Sequence, residues 1–284
     1  MKEQSYHSDF APQWCPGCGN FNLLGCVRQA LSELYDPHEV ILATGIGQTA
    51  KLGFSVRTNL FNGLHGRALP LAMGMRMANH RARILVVAGD GDLFSEGGNH
   101  FIHAMRRNLD VTILAGDNRV YGLTKGQGAP TSSHDFRTRL HRDGEAPRAV
   151  NPAALALVSG ATFVARAFSG NREELTGLIK EGMKHRGMAM IDVLFPCVTF
   201  NRINTVAWYK KRVRAVGADH DAGDFEAAMR LASRTEEEIP TGILYRVQRP
   251  IFADLLEALD GAPLASRAAE WRPERVRGLF ANFR

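Results

Sequence analysis

Two short motifs in this chain could together hold a cation and an anion. Gly89-Asp90-Gly91-Asp92 closes the apolar run 84–88, and Gly116-Asp117-Asn118 closes a second apolar run, 111–115. Asp90 and Asn118 offer hard oxygen atoms of the kind Mg²⁺ prefers, and the glycines let the backbone come close to a phosphate. Gly, Asp and Asn also dominate ordinary tight turns, so either motif alone says little. Two strand-end motifs separated by one helix, both carrying oxygen ligands, point to a metal-bridged diphosphate site. Sulfur offers a second chemistry through Cys15, Cys18, Cys26 and Cys197. In a reducing compartment these are not structural disulfides, which leaves metal binding, redox chemistry or core packing. Cys26 falls on the apolar face of a helix and reads as a small buried hydrophobe.

The elements that must position these residues alternate along the chain. Runs 84–88 and 111–115 suit strands buried on both faces of a parallel sheet, and open α/β sheets bind ligands at the carboxyl ends of such strands. Around them the pattern predicts helices over 21–34, 68–79, 94–107, 152–159 and 172–185, and strands over 40–43, 162–167 and 188–194. The first of these strands leads into a Gly-rich turn, 44–51, and the last into Phe195-Pro196-Cys197. Residues 121–143 have little apolar content and start at the second motif, as expected of an ordered loop over a site. This predicts an α/β domain over 1–198 with a mainly parallel sheet and flanking helices. From Thr199 the alternation stops, so 199–284 reads as a helical or irregular extension that packs on the domain or on a partner subunit.

A chain of 284 residues can bury a sizeable core, and 45% hydrophobic with 23% charged residues is an ordinary soluble composition. The formal charge of +6 is spread along the chain, with clusters only at Arg106-Arg107 and 210–214. It suits an acidic partner or anionic ligands and does not call for nucleic acid. No segment reaches the ~18 apolar residues of a membrane span, and the amino terminus lacks the apolar core of a signal peptide. A cytoplasmic location is the expectation.

Taken together, CPGCG at 15–19, TGIGQ at 44–48, LHGRALP at 64–70, GDGD at 89–92, DNRVYGLTKGQ at 117–127 and FPCVTFN at 195–201 resemble the β subunit of the 2-oxoacid:ferredoxin oxidoreductases in content and order. The resemblance implies a thiamine diphosphate-binding fold, with Mg²⁺ held by Asp90, Asn118 and the backbone carbonyl of Val120. Gly47, Gln48, His65, Gly89, Gly91, Asp92, Tyr121, Gly122, Leu123 and Thr124 would surround the cofactor, the amides of Gly91 and Asp92 donating to phosphate. Lys51 and His65 become candidates for contacting the substrate carboxylate or developing charge. Lys125 resembles the residue of enzymes that accept 2-oxoglutarate, because an ammonium can pair with a distal carboxylate that pyruvate lacks. The implied reaction is coenzyme A-dependent oxidative decarboxylation of a 2-oxoacid with ferredoxin as electron acceptor, or the reverse carboxylation. An α subunit would supply the activating Glu and most coenzyme A contacts, giving an αβ or (αβ)₂ enzyme that is inactive as the lone chain.

One position departs from the family pattern. Members with a four-iron four-sulfur cluster in this subunit use four thiolates, and Cys15, Cys18 and Cys197 match three of them, while Gln48 stands at the other. Three outcomes are open: a cluster with a non-thiolate fourth ligand, substitution by Cys26, or an empty or altered site. Cys26 is a poor substitute, since its helix should turn it into the core. The competing functional reading is a cluster-free thiamine diphosphate-dependent 2-oxoacid decarboxylase or an indolepyruvate-type oxidoreductase subunit.

Overall fold

Continuous burial along the central strands decides the layering of the molecule. The computed structural model describes residues 3–138, 141–145, 147–267 and 273–281. Its strands are β1 (Val40–Thr44), β2 (Asn59–Asn62), β3 (Arg83–Gly89), β4 (Val111–Asp117), β5 (Phe163–Phe168), β6 (Met188–Leu194), β7 (Val213–Ala215) and β8 (Ile239–Arg246). In β3, Ile84, Val86 and Ala88 face one core cluster, while Leu85 and Val87 face another. Side chains alternate across a strand, so a strand apolar on both faces needs cover on both.

The helices supply that cover: α1 (Asn20–Leu34), α2 (Ala68–Ala78), α3 (Gly98–Arg106), α4 (Pro152–Ser159), α5 (Arg172–Lys184), α6 (Val206–Arg212), α7 (Phe225–Ala232) and α8 (Pro273–Ala281). Leu23, Val27 and Leu31 of α1 and Leu175 and Ile179 of α5 fill one face. Leu69 and Ala72 of α2, Phe101 and Met105 of α3, Ala153 and Leu157 of α4 and Ala228 of α7 fill the other. Several ends have identifiable caps. Asn151 Oδ1 accepts from the Ala154 amide at the start of α4, and Gly160 ends that helix at φ +97°, the left-handed turn glycine adopts without steric cost.

The sheet has eight strands in the order β2-β1-β3-β4-β6-β5-β8-β7. Every pairing from β2 to β5 is parallel, and β8 runs antiparallel to β5. The expected elements before residue 198 form close to their predicted bounds. Two differences matter. The helix expected over 94–107 starts as a π-helical turn, Asp92–Glu96, ahead of α3, a distortion often found beside functional sites. The stretch 199–284 is not only helix and loop: β7 and β8 come from it, and β8 extends the main sheet. Pro240 and Gly242 hide this strand from local propensity, because both are unfavourable inside a regular ladder; pairing with β5 overrides them. Among the described residues, no helix is long and apolar enough to cross a membrane.

Candidate active site

Parallel strands place all their carboxyl ends along one edge, so the loops after β1, β3, β4 and β6 share it. The helix α1 crosses back before β1 and therefore starts at the same edge. This is why motifs spread from Cys15 to Asn201 meet, with the GDGD and GDN turns side by side on adjacent strands β3 and β4.

Asp90, Asp117 and Asn118 are all buried there. Asp90 Oδ2 accepts from Thr131 Oγ1 at 2.6 Å and Oδ1 from the Gly91 amide at 2.9 Å. Asn118 Oδ1 accepts from the Val120 amide at 3.0 Å, and Asp117 Oδ1 from the Arg119 amide at 3.1 Å. Burial pushes Asp90 up to about 6. Burial also pushes Asp117 up to about 7, the neighbouring Asp90 charge adding to it. The Asp90 and Asp117 carboxyl groups lie against each other, and with the Asn118 amide oxygen one residue further on they are hard donors of the kind a small dication takes, whose charge would favour both ionised forms.

Beside this recess the backbone is tightly packed. A Cβ on Gly91 would fall 2.1 Å from the Tyr121 ring, so only glycine lets the start of the helical turn approach the Tyr121 loop. Asp92 has a role that its place in the GDGD motif does not announce. Its side-chain Oδ1 accepts from the Gly66 amide at 2.7 Å, the Ile46 amide at 3.3 Å and His65 Nδ1 at 2.5 Å. Burial raises the Asp92 pKa and these donors pull it back. Because two backbone amides already donate to this oxygen, His65 Nδ1 carries the proton, and its Nε2 lies 3.7 Å from Glu96 Oε2. Glu96 in turn accepts from the Tyr121 hydroxyl at 3.1 Å. Burial, ahead of the Glu96 charge, pushes Tyr121 up to about 12. His65 is 38% exposed at its side chain, so it is a fixed, accessible imidazole at the rim.

The two lysines sit differently. Lys51 is half-buried on the 3₁₀ helix Ala50–Ser55, its amide bonded to the Gly47 carbonyl at 3.4 Å. Lys125 is exposed at the tip of a turn closed by the Tyr121–Gln127 bridge, with φ +84°. Leu123 and Thr124 precede it in that turn. Lys125 lies on the wall of a broad cleft that also includes Thr124, Arg137, Arg142 and Phe200. The turn therefore places Lys125 on a basic cleft.

Cys15, Cys18 and Cys197 come together around one pocket with Trp14, Asn20, Gln48, Asn118 and Gly122. Cys26 is fully buried in the α1 core, its thiol 3.5 Å from the Arg172 carbonyl, and stands apart from that pocket as its helical position predicts. Burial pushes the Cys18 thiol up while the Asn20 groups beside it act the other way. Among the described residues, no three His, Cys, Asp or Glu side chains converge as they would on a single metal ion.

Several contributors were not legible in the sequence. Thr131 lies in the polar loop, where nothing marks it. Asn201 donates to the Asn118 carbonyl at 3.2 Å while its own amide bonds the Cys197 carbonyl at 3.2 Å, so it ties the recess to the sulfur pocket. Arg119 holds a left-handed φ of +58°, a conformation that costs a non-glycine residue ~1 kcal/mol or more. Its guanidinium reaches Glu236 Oε1 at 3.3 Å and the Thr235 carbonyl at 3.2 Å, and lies 5.4 Å over the Trp208 ring. The segment after residue 199 thus braces the turn that carries Asn118 and Arg119.

Fold and site define a class, the thiamine diphosphate-binding α/β domain. Residues 40–193, from β1 into β6, match the family model described as thiamine pyrophosphate enzyme, C-terminal TPP binding domain. Residues 197–261 match the family model for the C-terminal part of the beta chain of pyruvate ferredoxin oxidoreductase. The chain belongs to the β subunits of the 2-oxoacid:ferredoxin oxidoreductases, and it is one component of an oxidoreductase. It is 40% identical over 277 residues to 2-oxoacid:ferredoxin oxidoreductase 2, subunit beta, of Aeropyrum pernix, covering 91% of this chain and 89% of that one. It is 42% identical over 202 residues to 2-oxoglutarate oxidoreductase subunit KorB of Mycobacterium tuberculosis, covering 71% and 54%. A solved 2-oxoglutarate:ferredoxin oxidoreductase from Magnetococcus marinus, with 2-oxoglutarate, coenzyme A and succinyl-CoA bound, superposes with TM-score 0.91 at 37% identity, over 98% of this chain and 96% of that one.

Proposed function

We propose that this chain, together with an α subunit, carries out coenzyme A-dependent oxidative decarboxylation of 2-oxoglutarate with ferredoxin as acceptor, or the reverse carboxylation. The observation that carries this reading is the buried oxygen cluster of Asp90, Asp117 and Asn118, with His65 fixed on Asp92 of the same GDGD turn. Asp90, Asn118 and the Val120 carbonyl would hold Mg²⁺, and the Gly91 and Asp92 amides, at the start of a helical segment, would take the diphosphate. Bound thiamine diphosphate supplies the carbon nucleophile and the electron sink for decarboxylation.

The chain's own residues prepare the substrate. His65, locked by Asp92, offers Nε2 toward a carboxylate or a developing negative charge, and Lys51 is a second candidate for that contact. Lys125 pairs with the distal carboxylate of a dicarboxylic oxoacid, supported by Arg137 and Arg142 on the same cleft. The exposed lysine in a strained left-handed turn is a costly arrangement for mere surface charge. Cys15, Cys18 and Cys197 would hold an iron–sulfur cluster, which supplies a one-electron relay toward ferredoxin. The activating Glu and most coenzyme A contacts come from the α subunit.

The test is anaerobic activity of the αβ complex with pyruvate, 2-oxobutyrate and 2-oxoglutarate. We expect a preference for 2-oxoglutarate that Lys125→Leu reduces by at least tenfold, mostly through KM, from loss of one charge-assisted pair worth about 1.5–3 kcal/mol. Strong preference of the unaltered enzyme for pyruvate would overturn the role of Lys125. Gln48 favours a second reading, a cluster-free decarboxylase or indolepyruvate-type enzyme; a complex that is active but free of iron and sulfide would establish it.

A further inference from the structure

The sulfur pocket contains more than its thiols. Cys15, Cys18 and Cys197 are its only side chains able to donate as anions; the remaining donor atoms belong to Asn20, Gln48, Asn118 and Thr199. Thr199 Oγ1 already donates to Cys15 Sγ at 3.1 Å, and Asn118 is given to the cation site. The other two are unusual. Asn20 is completely buried, and neither its Oδ1 nor its Nδ2 makes a hydrogen bond of normal geometry; Gln48 Oε1 is likewise buried and unbonded. Buried amides without partners are rare because desolvation is costly, and each such group in a native fold calls for a ligand or an ordered partner.

The two amides hold different places. Asn20 opens α1 two residues after Cys18 and lies against that thiol, which suits a donor to sulfur. Gln48 enters from the loop after β1, pinned by a 2.9 Å bond from Trp14 Nε1 to its carbonyl, next to Cys15. The position of a Cβ on Gly122 would be 3.9 Å from Cys197 Sγ and 4.0 Å from Gln48 Cγ, so Gln48 and Cys197 flank the same small gap.

We propose that this pocket builds a four-iron four-sulfur cluster on three thiolates, with the fourth iron held by the amide oxygen of Gln48 and the Asn20 amide donating to cluster sulfur. This rests on the reading that the pocket holds a cluster at all. A neutral oxygen binds iron less tightly than a thiolate and leaves the cluster one negative charge poorer. The fourth iron is therefore exchangeable, and the reduction potential is higher than that of a four-thiolate cluster. Oxidation by a one-electron oxidant such as ferricyanide converts [4Fe–4S]²⁺ into [3Fe–4S]⁺ and Fe²⁺, with the electron passing to the oxidant.

The experiment treats the anaerobic αβ complex with ferricyanide and follows iron, sulfide and EPR. The unaltered enzyme should lose one iron of about four per chain and develop the near-isotropic signal of an oxidised three-iron cluster, reversed by ferrous iron with dithionite. Gln48→Cys should keep its iron and stay silent, and Gln48→Glu, with an anionic oxygen at similar reach, should resist the oxidant almost as well. Gln48→Ala should show the three-iron form before oxidation. Equal iron retention in the unaltered, Gln48→Cys and Gln48→Ala enzymes would overturn the role of Gln48 and leave the cluster standing. A complex that binds thiamine diphosphate but has no iron or sulfide would overturn the cluster reading itself.

Discussion

Replacing Asp92 by Ala tests whether one buried carboxylate organises the loops around His65. Asp92 Oδ1 receives the Gly66 amide, the Ile46 amide and His65 Nδ1, and its side chain is 1% exposed. Hydrogen bonds to a charged acceptor are worth ~1.5–3 kcal/mol each. The 2.7 Å bond from Gly66 counts in full, the 3.3 Å bond from Ile46 counts for little, and the half-exposed His65 regains water. The sum is about 2–3 kcal/mol, which lowers the Tm of a domain this size by roughly 4–12 °C. Asp92→Asn keeps an acceptor but loses the charge, so it should cost about half as much. The assay is thermal unfolding of the αβ complex at fixed concentration, with thiamine diphosphate affinity measured alongside. Loss of affinity should accompany loss of stability, because the loops 45–48 and 64–66 are freed together. Gly45→Ala should mimic the change, since a Cβ there would fall 1.9 Å from Asp92 Oδ2. A cost for Asp92→Ala below ~1 kcal/mol, with cofactor affinity unchanged, would refute the reasoning.

Asp90→Ala should abolish Mg²⁺-dependent thiamine diphosphate binding in calorimetry while the complex stays assembled; undiminished affinity would remove Asp90 from the cation site. Arg166→Ala should destabilise by about 3–5 kcal/mol in chemical denaturation, because it strands a buried charge: Arg166 Nε meets Asp192 Oδ2 at 3.1 Å and both side chains are 1% exposed. A cost under ~1 kcal/mol would show that water already screens the pair. His185 is 7% exposed with Nε2 2.9 Å from Thr162 Oγ1, and burial, aided by the Arg246 charge, lowers its pKa from 6.5 to about 4. The unfolded chain takes up a proton below pH 6.5 that the folded chain refuses until about 4. Its stabilising contribution is therefore complete above 6.5 and is lost as pH falls toward 4, by up to ~3 kcal/mol. The difference between the unaltered chain and His185→Gln across that window isolates this group, and identical pH profiles would count against it.

Much of the central sheet was legible in the sequence, for a local reason. β3, β4 and β6 are apolar on both faces and end in turn residues, so composition and length alone locate them to within a residue or two. Cys26 could be assigned to the core from helical spacing, and its complete burial agrees. The strand β8 was not legible, because Pro240 and Gly242 contradict local propensity and only pairing with β5 makes it a strand. Asp92 was read through its backbone amide, whereas its side chain reaches Gly66 and Ile46, residues with no local mark of that partnership.

By itself the sequence determined which atoms are available for chemistry: oxygen donors at two strand ends, three thiols with Gln48 at the position of a fourth, and lysines near them in the chain. Those are properties of residue type and short spacing. The tertiary structure decided which of them share a recess. It brought the Asp90 and Asp117 carboxyl groups together, placed Lys125 on a basic cleft, and left the Asn20 amide and Gln48 Oε1 buried beside the thiols without a hydrogen bond of normal geometry. Contacts across 117 residues, such as Arg119 with Glu236, depend on strand order and parallel direction. Both arise from closure of the whole sheet, which no local pattern encodes.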